Sequence, residues 1–443
     1  MNVEENKEKP TESTAVEVHP NARILSLDQF RGYAVAGMVL VNFLGNYNCT
    51  PRVLRHTNDY CSYADTIMPN FLFAVGFSIA IVWAKALTTE AKKRNVQVKS
   101  LDAQARQMVA KPLQFKLARR SLALMIFALI LYFPWGQSDL SLRIGTLDFW
   151  FTIAKRDWFQ TLTHIAWTTL WILPTLSWNW RNKLLWIACG TFLHAALSEG
   201  CYFHWVHENP SGIDGGPLGF LTWALPAFAG LWAGERFLNH RNQVNSNDPK
   251  NLSETLWYAR WLFIACSWML SGWLLSCLSR SYDVQTPQHD PKVARTSNAP
   301  ERLADSPVVR GVQSFASAKH RGWIEPPFVP PPRWQERSWN YWMMSQKAGT
   351  LTYLVFAAGF SLALFVLWDW LVVRYSIEIP LLRSFGKNAL FCYAVHGFLI
   401  ELVGIWVARD ASPWLVTFTL FCLFAILFAL ARTLEQRRIF IRL

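Results

Sequence analysis

Charge is scarce in this sequence. Only 16 % of its 443 residues are Asp, Glu, Lys or Arg, against about 25 % in an average soluble domain. A chain so poor in charge cannot cover the surfaces of the two or three soluble domains its length would otherwise allow. Cysteine is also thin on the ground, at eight residues, and no Cys spacing fits a zinc site. Cys189, Cys266, Cys392 and Cys422 fall inside apolar runs and read as core fillers. Cys49 and Cys61 share one loop, where a disulfide could form in an oxidising compartment. The N-terminal residues 1–23 lack a basic start followed by an apolar core, so no cleavable signal peptide is expected. With five Glu in that stretch, it reads as a disordered polar tail. No internal repeat and no pair of broken spans is visible, which counts against a transporter.

Apolar and aromatic residues are abundant instead. Hydrophobic residues make up 52 %, with 24 Trp and 30 Phe. Trp at helix ends is what a membrane interface recruits, since the ring has one apolar and one wet edge. A spanning helix needs about 20 predominantly apolar residues. Ten candidates are found, at Phe30–Gly45, Ala64–Ala86, Leu117–Trp135, Trp158–Leu176, Leu184–Leu197, Leu218–Phe237, Leu256–Leu278, Leu351–Val373, Leu390–Val407 and Pro413–Thr433. The fifth is short. The fold class is therefore all-α, a polytopic membrane bundle of about ten spans.

The formal charge of +13 does not point to nucleic acid, because Lys and Arg lie in loops between apolar runs rather than along an amphipathic soluble helix. They follow the positive-inside pattern. Leu87–Lys116 carries Lys92, Lys93, Arg94, Lys99, Arg106, Lys111 and Lys116, whereas Glu199–Pro217 has neither Lys nor Arg. Both termini are thus expected inside. Four regions follow: the tail 1–23, seven spans with the candidate site over 24–278, a long non-cytoplasmic loop over 279–349, and three spans over 350–443. The loop is polar, then Pro-rich from Glu325, then aromatic at Trp334, Trp339, Tyr341 and Trp342. It reads equally as a solvated linker or as a lid.

Ionisable residues in or beside spans are costly and invite functional readings. Asp28 and Arg31 lie three apart and are neighbours on a helix. They form either a helix-start acid with a snorkelling Arg or an anchor for an anionic cytoplasmic ligand. Asn42, His56 and Asp65 bring an amide, a base and a carboxylate to the outer end of the first two spans. His is the side chain best matched to general-base work near neutral pH, although a loop His is commonly a surface residue. His396, and Gln160 with His164 on one helix face, read as interhelical hydrogen-bonding groups or as site residues.

The run Leu25-Ser26-Leu27-Asp28-Gln29-Phe30-Arg31-Gly32, with Met38 to Asn42 after it, resembles the start of the heparan-α-glucosaminide N-acetyltransferase family. The likeness continues through His56 and Ala64-Asp65-Thr66-Ile67-Met68-Pro69-Asn70-Phe71-Leu72-Phe73 to Gly76. Weaker echoes are Asp214 to Gly219 and Gly386-Lys387-Asn388-Ala389. Membrane O-acyltransferases of bacterial polysaccharides have a similar Asp-x-x-Arg-Gly start, but usually with a His in the first span, and Asn42 favours the first family.

The resemblance implies a multi-span helical acetyltransferase with no permanently bound cofactor and no metal. Acetyl-CoA is its co-substrate, and an amino sugar or polysaccharide its acceptor at the far face. The family's active-site Asn and His are similar to Asn42 and His56, and the residues themselves suggest the roles: His56 as base or acetyl carrier, Asn42 as oxyanion donor, Asp65 as the group orienting His56. By their charge or polarity in or beside spans, Asp28, Arg31, Arg119, Arg120, Gln160, Arg383, Asn388 and His396 are the candidates for substrate and CoA contacts. The expected partners are these substrates and the bilayer, with a homodimer allowed and no nucleic acid. A bacterial inner (plasma) membrane is favoured over a lysosomal one. The rival reading is a transporter or channel in which His164 and His396 relay protons.

Overall fold

The computed structural model describes residues 24–135, 143–244, 252–282, 303–309 and 337–441. The tail 1–23 and the Pro-rich run from Glu325, with Trp334, lie outside the described residues. Each of the ten apolar runs contains a helix, labelled α1 to α10: Leu25–Leu44, Ile67–Lys93, Ala103–Tyr132, Thr161–Ile172, Trp180–Leu197, Phe220–Val244, Leu252–Ser276, Leu351–Tyr375, Ala389–Gly404 and Pro413–Gln436. A short helix, Pro380–Lys387, precedes α9. Among the described residues no strand forms, and the one isolated bridge joins Leu303 and Trp339.

The protein is a multi-pass membrane protein. Among the described residues, five helical stretches are long and apolar enough to cross a membrane: Ala64–Lys93, Trp180–His207, Glu254–Tyr282, Leu351–Tyr375 and Pro413–Gln436. In lipid a backbone must satisfy its own polar groups, so apolar runs of this length have no alternative to helix. The short fifth run becomes a long span because α5 continues through a wide π turn at Ser198–Tyr202 into Phe203–His207. The basic stretch after Leu87 is largely helical too. α2 runs on to Lys93, and α3 starts at Ala103 with the Asp102 carboxylate accepting from the Ala105 N–H at 2.7 Å. Such an N-cap answers a helix-start donor that would otherwise be orphaned.

Close backbone approach holds the bundle together where hydrophobic burial gives little preference for helix over lipid. α2 and α6 cross at Gly76 and Gly230. A Cβ on Gly76 would lie 1.7 Å from the Ala227 carbonyl oxygen, and one on Gly230 would lie 1.9 Å from that of Phe73. α1 meets the short helix Pro380–Lys387 in the same way, through Gly32 and Gly386. Next to these crossings Phe30, Phe73, Phe77, Phe237 and Phe365 pack as one aromatic cluster, the tightest pair being Phe77 and Phe365 at 4.6 Å. At one end of it Asp369 is fully buried and accepts from Ser26, from Arg241 and, at 3.0 Å, from Tyr258. That knot ties α1, α6, α7 and α8 together.

The described parts of the long loop are packed rather than free. Glu199 accepts from the main-chain N–H groups of Val308 and Val309 at 2.7 and 3.1 Å. Trp342 donates to the Val308 carbonyl at 2.8 Å, and the Lys347 carbonyl accepts from Gly215 at 2.8 Å. Residues 337–349 therefore lie over the loop that links α5 to α6.

Gly76→Leu forces α2 and α6 apart. Overpacking a dense contact costs about 3 kcal/mol or more, so thermal unfolding of purified protein should begin well below the wild-type temperature. An unchanged midpoint would show that this crossing does not hold the bundle.

Candidate active site

The first two helices are joined by residues 45–66, and the end of that connection builds the site. Asp65 sits in the single 3-10 turn Ala64–Thr66 that leads into α2, and its side chain is fully buried. A buried carboxylate is costly unless hydrogen-bonded. It accepts from the Ser62 N–H and hydroxyl, each at 2.9 Å, from Thr57 at 3.3 Å and from His56 Nδ1 at 2.9 Å. The Tyr353 hydroxyl donates to its main-chain carbonyl at 2.5 Å. Because a carboxylate can only accept, His56 carries its proton on Nδ1, and its Nε2 lone pair is left for another partner.

His56 has about half of its side-chain surface open (52 %), and it lines a half-open cavity of about 470 Å³. Burial lowers its basicity. The hydrogen bond and charge of Asp65, the charge of Asp214 and a bond with Gln346 outweigh that, so its pKa is raised above the ordinary imidazole value. The cavity floor is apolar, formed by Met38, Val41, Ile67, Met68 and Phe71. Asn42, Gln160 and Tyr393 add polar groups to its wall.

Asn42 is held from α9. Its amide Nδ2 lies 3.1 Å from His396 Nε2, and His396 Nδ1 lies 2.5 Å from the Tyr393 carbonyl. A carbonyl only accepts, so His396 is protonated on Nδ1 and its Nε2 accepts one of the two Asn42 amide hydrogens. The second hydrogen remains available at the cavity wall.

A second carboxylate faces His56. Asp214 occupies a turn in left-handed backbone conformation (φ 52°), followed by Gly215 at φ 80°. Its main-chain carbonyl accepts from Trp223 at 2.6 Å, and its carboxylate accepts from Gln346 at 2.8 Å. Burial is the main cause that pushes its pKa up to about 6, against the opposing effects of His56 and Gln346. Lys347, next to Gln346, also lines the cavity, and burial together with the charge of Arg156 brings its pKa down to about 8.

The residues singled out from sequence thus divide. His56, Asn42, Asp65, Gln160 and His396 come together at the cavity, the last through Asn42. Asp28 and Arg31 pair with each other at 3.5 Å near the opposite end of α1, about 20 Å from Asn42 along the helix axis. Arg383 pairs with Glu378 and, at 3.0 Å, with Glu435. Arg119 and Arg120 are exposed on α3, and Asn388 is buried with its amide 3.5 Å from the Ala431 carbonyl. His164 is buried between Phe159 and Trp223 and is not itself part of the cavity lining. Asp214, Gln346, Lys347 and Tyr393 were not picked as site residues. The run Asp214 to Gly219 carried a weak signal, while Gln346 and Lys347 carried none. The disulfide does not form: Cys49 and Cys61 are both free thiols, one exposed and one buried. Among the described residues no His, Cys, Asp and Glu gather in a group that could hold a metal ion.

A helical membrane bundle with an Asp-oriented imidazole and an amide donor around one cavity has the parts of a membrane acyl-transfer enzyme. Residues 23–276, more than half of the chain, match the family described as heparan-alpha-glucosaminide N-acetyltransferase, catalytic, and the chain belongs to that family of membrane acetyltransferases. No curated protein matches it.

The charge of Asp214 helps to hold His56 protonated. Asp214→Asn removes that charge, so the His56 pKa should fall. For a reaction that needs neutral His56, the rising limb of the pH–rate profile should move to lower pH. A limb that stays in place or moves up would show that the two groups are not coupled.

Proposed function

We propose that the protein carries an acetyl group from cytoplasmic acetyl-CoA to an amino sugar or related glycan at the non-cytoplasmic face. The observation that carries this reading is the His56–Asp65 pair, whose second imidazole nitrogen is not engaged by Asp65 and shares a cavity with the spare amide hydrogen of Asn42. His56 takes the proton of the acceptor as its nitrogen or hydroxyl oxygen attacks the thioester carbon. Asn42 donates to the oxygen on which charge develops, a contribution of roughly 3 kcal/mol in other enzymes. Asp65 fixes the imidazole tautomer. Asp214, a buried acid within electrostatic reach of His56, is suited to hold an ammonium or hydroxyl group of the acceptor. Gln160 is available to orient it.

The CoA phosphates would meet cations at the other end of the bundle, where Arg31, Arg119, Arg120 and Arg383 are candidates. Family membership supports the enzyme over a transporter. Ten spans with both termini inside agree with the ten helices and with the clustering of Lys and Arg between Leu87 and Lys116. A bacterial plasma membrane is the proposed location.

Two experiments test this reading. Membranes containing the protein are given radiolabelled acetyl-CoA and a panel of amino sugars. His56→Ala should reduce transfer by about 10²-fold or more while the protein remains inserted, and Asn42→Ala should slow turnover with less effect on acetyl-CoA binding. Near-normal transfer by His56→Ala would remove this site from the chemistry. Sidedness is tested in a cysteine-free background with Asn58→Cys and Gln97→Cys and an impermeant thiol reagent. Asn58→Cys should label from outside and Gln97→Cys should not, and equal labelling would overturn the topology.

A further inference from the structure

Beside Asn42 the cavity wall carries a hydroxyl whose neighbours dictate where its proton points. Tyr393 lies on α9 one turn before His396 and lines the cavity with Thr161. Its phenol oxygen is 2.6 Å from that of Tyr132, and Thr161 is a second side-chain hydrogen-bond partner. Tyr132 in turn accepts from the Leu162 main-chain N–H at 3.2 Å. An amide N–H can only donate, so one lone pair of the Tyr132 oxygen is already used. If Tyr393 donated to Tyr132, the Tyr132 proton would be left without an acceptor among the described residues. Both phenols are part-buried among apolar helices, where a hydroxyl proton without an acceptor is disfavoured. The order that satisfies both phenols runs from Leu162 to Tyr132 to Tyr393.

A phenol has two lone pairs and one proton. With Tyr132 donating to its oxygen, and Thr161 able to donate as well, the O–H of Tyr393 is left to point towards the cavity that the residue lines. The same residue also sets the other donor on this wall. Its main-chain carbonyl fixes the His396 tautomer, and His396 orients the Asn42 amide. One residue therefore governs two donors, an amide N–H and a phenol O–H polarised by the hydrogen bonds it accepts.

We propose that the Tyr393 hydroxyl is a catalytic residue that donates to the acetyl carbonyl oxygen, completing an oxyanion hole with Asn42, while Tyr132 and Thr161 act as positioning residues. The inference rests on the acetyl-transfer reading. As the acceptor forms its bond to the thioester carbon, the C=O electron pair moves to oxygen and is met by the Tyr393 and Asn42 donors. When that pair returns, the C–S bond breaks and CoA leaves as the thiolate. The acceptor proton goes to His56.

Tyr393→Phe tests this in the purified full-length protein, because it removes the hydroxyl while keeping the ring and the main-chain carbonyl. The expected result is a fall in kcat of about 10²-fold, with little change in KM for acetyl-CoA and an unchanged unfolding temperature. Tyr132→Phe should have a smaller effect of the same kind. A second measurement needs no acceptor. Isotope-edited infrared spectra of bound acetyl-CoA labelled with ¹³C at the carbonyl should show a band below that of the free thioester, returning towards the free position in Tyr393→Phe. If wild-type protein transfers acetyl groups, His56→Ala does not, and Tyr393→Phe keeps both rate and band, the inference fails while the acetyl-transfer reading stands. A variant that loses only thermal stability also overturns it, since the hydroxyl would then be structural. If wild-type protein transfers no acetyl group and shifts no band, both fail together.

Discussion

A single buried carboxylate organises the cavity end of the bundle. Asp65 has no contact with solvent and must find its donors within the protein. It finds them at Thr57, Ser62 and His56, all in the connection between α1 and α2. Satisfying the acid therefore folds that connection and aims the imidazole at once. The Tyr353 hydroxyl bonds the Asp65 carbonyl and anchors this arrangement to α8. Stability and chemistry do not compete here, because the hydrogen bonds that make the acid tolerable are the ones that leave His56 Nε2 available.

The electrostatics follow from the same placement. His56 has a carboxylate on either hand. Asp65 is locked in hydrogen bonds, whereas Asp214 is buried with fewer donors and is pushed up to about 6. His56 is raised in response, and Lys347 is brought down to about 8. Groups with very different ordinary values are thus drawn towards neutrality around one cavity. Proton transfer among such groups and a bound substrate requires little driving force, and that is how sites that exchange protons differ from surface ion pairs.

Much of this was legible in the sequence, and the reasons are physical. Each of the ten helices falls in an apolar run, and among the described residues five helical stretches are long and apolar enough to cross a membrane. Their ends were less legible, because the amphipathic extension of α2 to Lys93 and the π turn after α5 lie where hydropathy fades. Asn42, His56 and Asp65 could be grouped because two consecutive helices and a short connection hold them within 24 residues of one another. Asp214, Gln346 and Tyr393 reach the same cavity from three distant parts of the chain, and no local pattern reports such a meeting. His396 and Gln160 stand out in the sequence as polar span residues, read either as interhelical hydrogen-bonding groups or as substrate or CoA contacts. The polarity of a span residue marks it as engaged without saying at which depth. The proposed bridge between Cys49 and Cys61 drew on proximity in sequence alone, whereas Cys61 is buried and Cys49 faces outwards.

The Asn42–His396 contact spans 354 residues, and that distance has a consequence for biosynthesis. Chains are made from the N-terminus, and domains generally fold as they emerge. A nascent chain that has just completed α7 already holds the His56–Asp65 pair. It has no His396 to orient Asn42, no Gln346 to meet Asp214 and no Tyr393 on the cavity wall. The half-made protein thus carries the base without the remainder of the site. Any premature stop before α9 leaves a membrane protein with most of its helices but without His396 to position the amide and without Tyr393. Competence arrives late, with the insertion of one of the last helices.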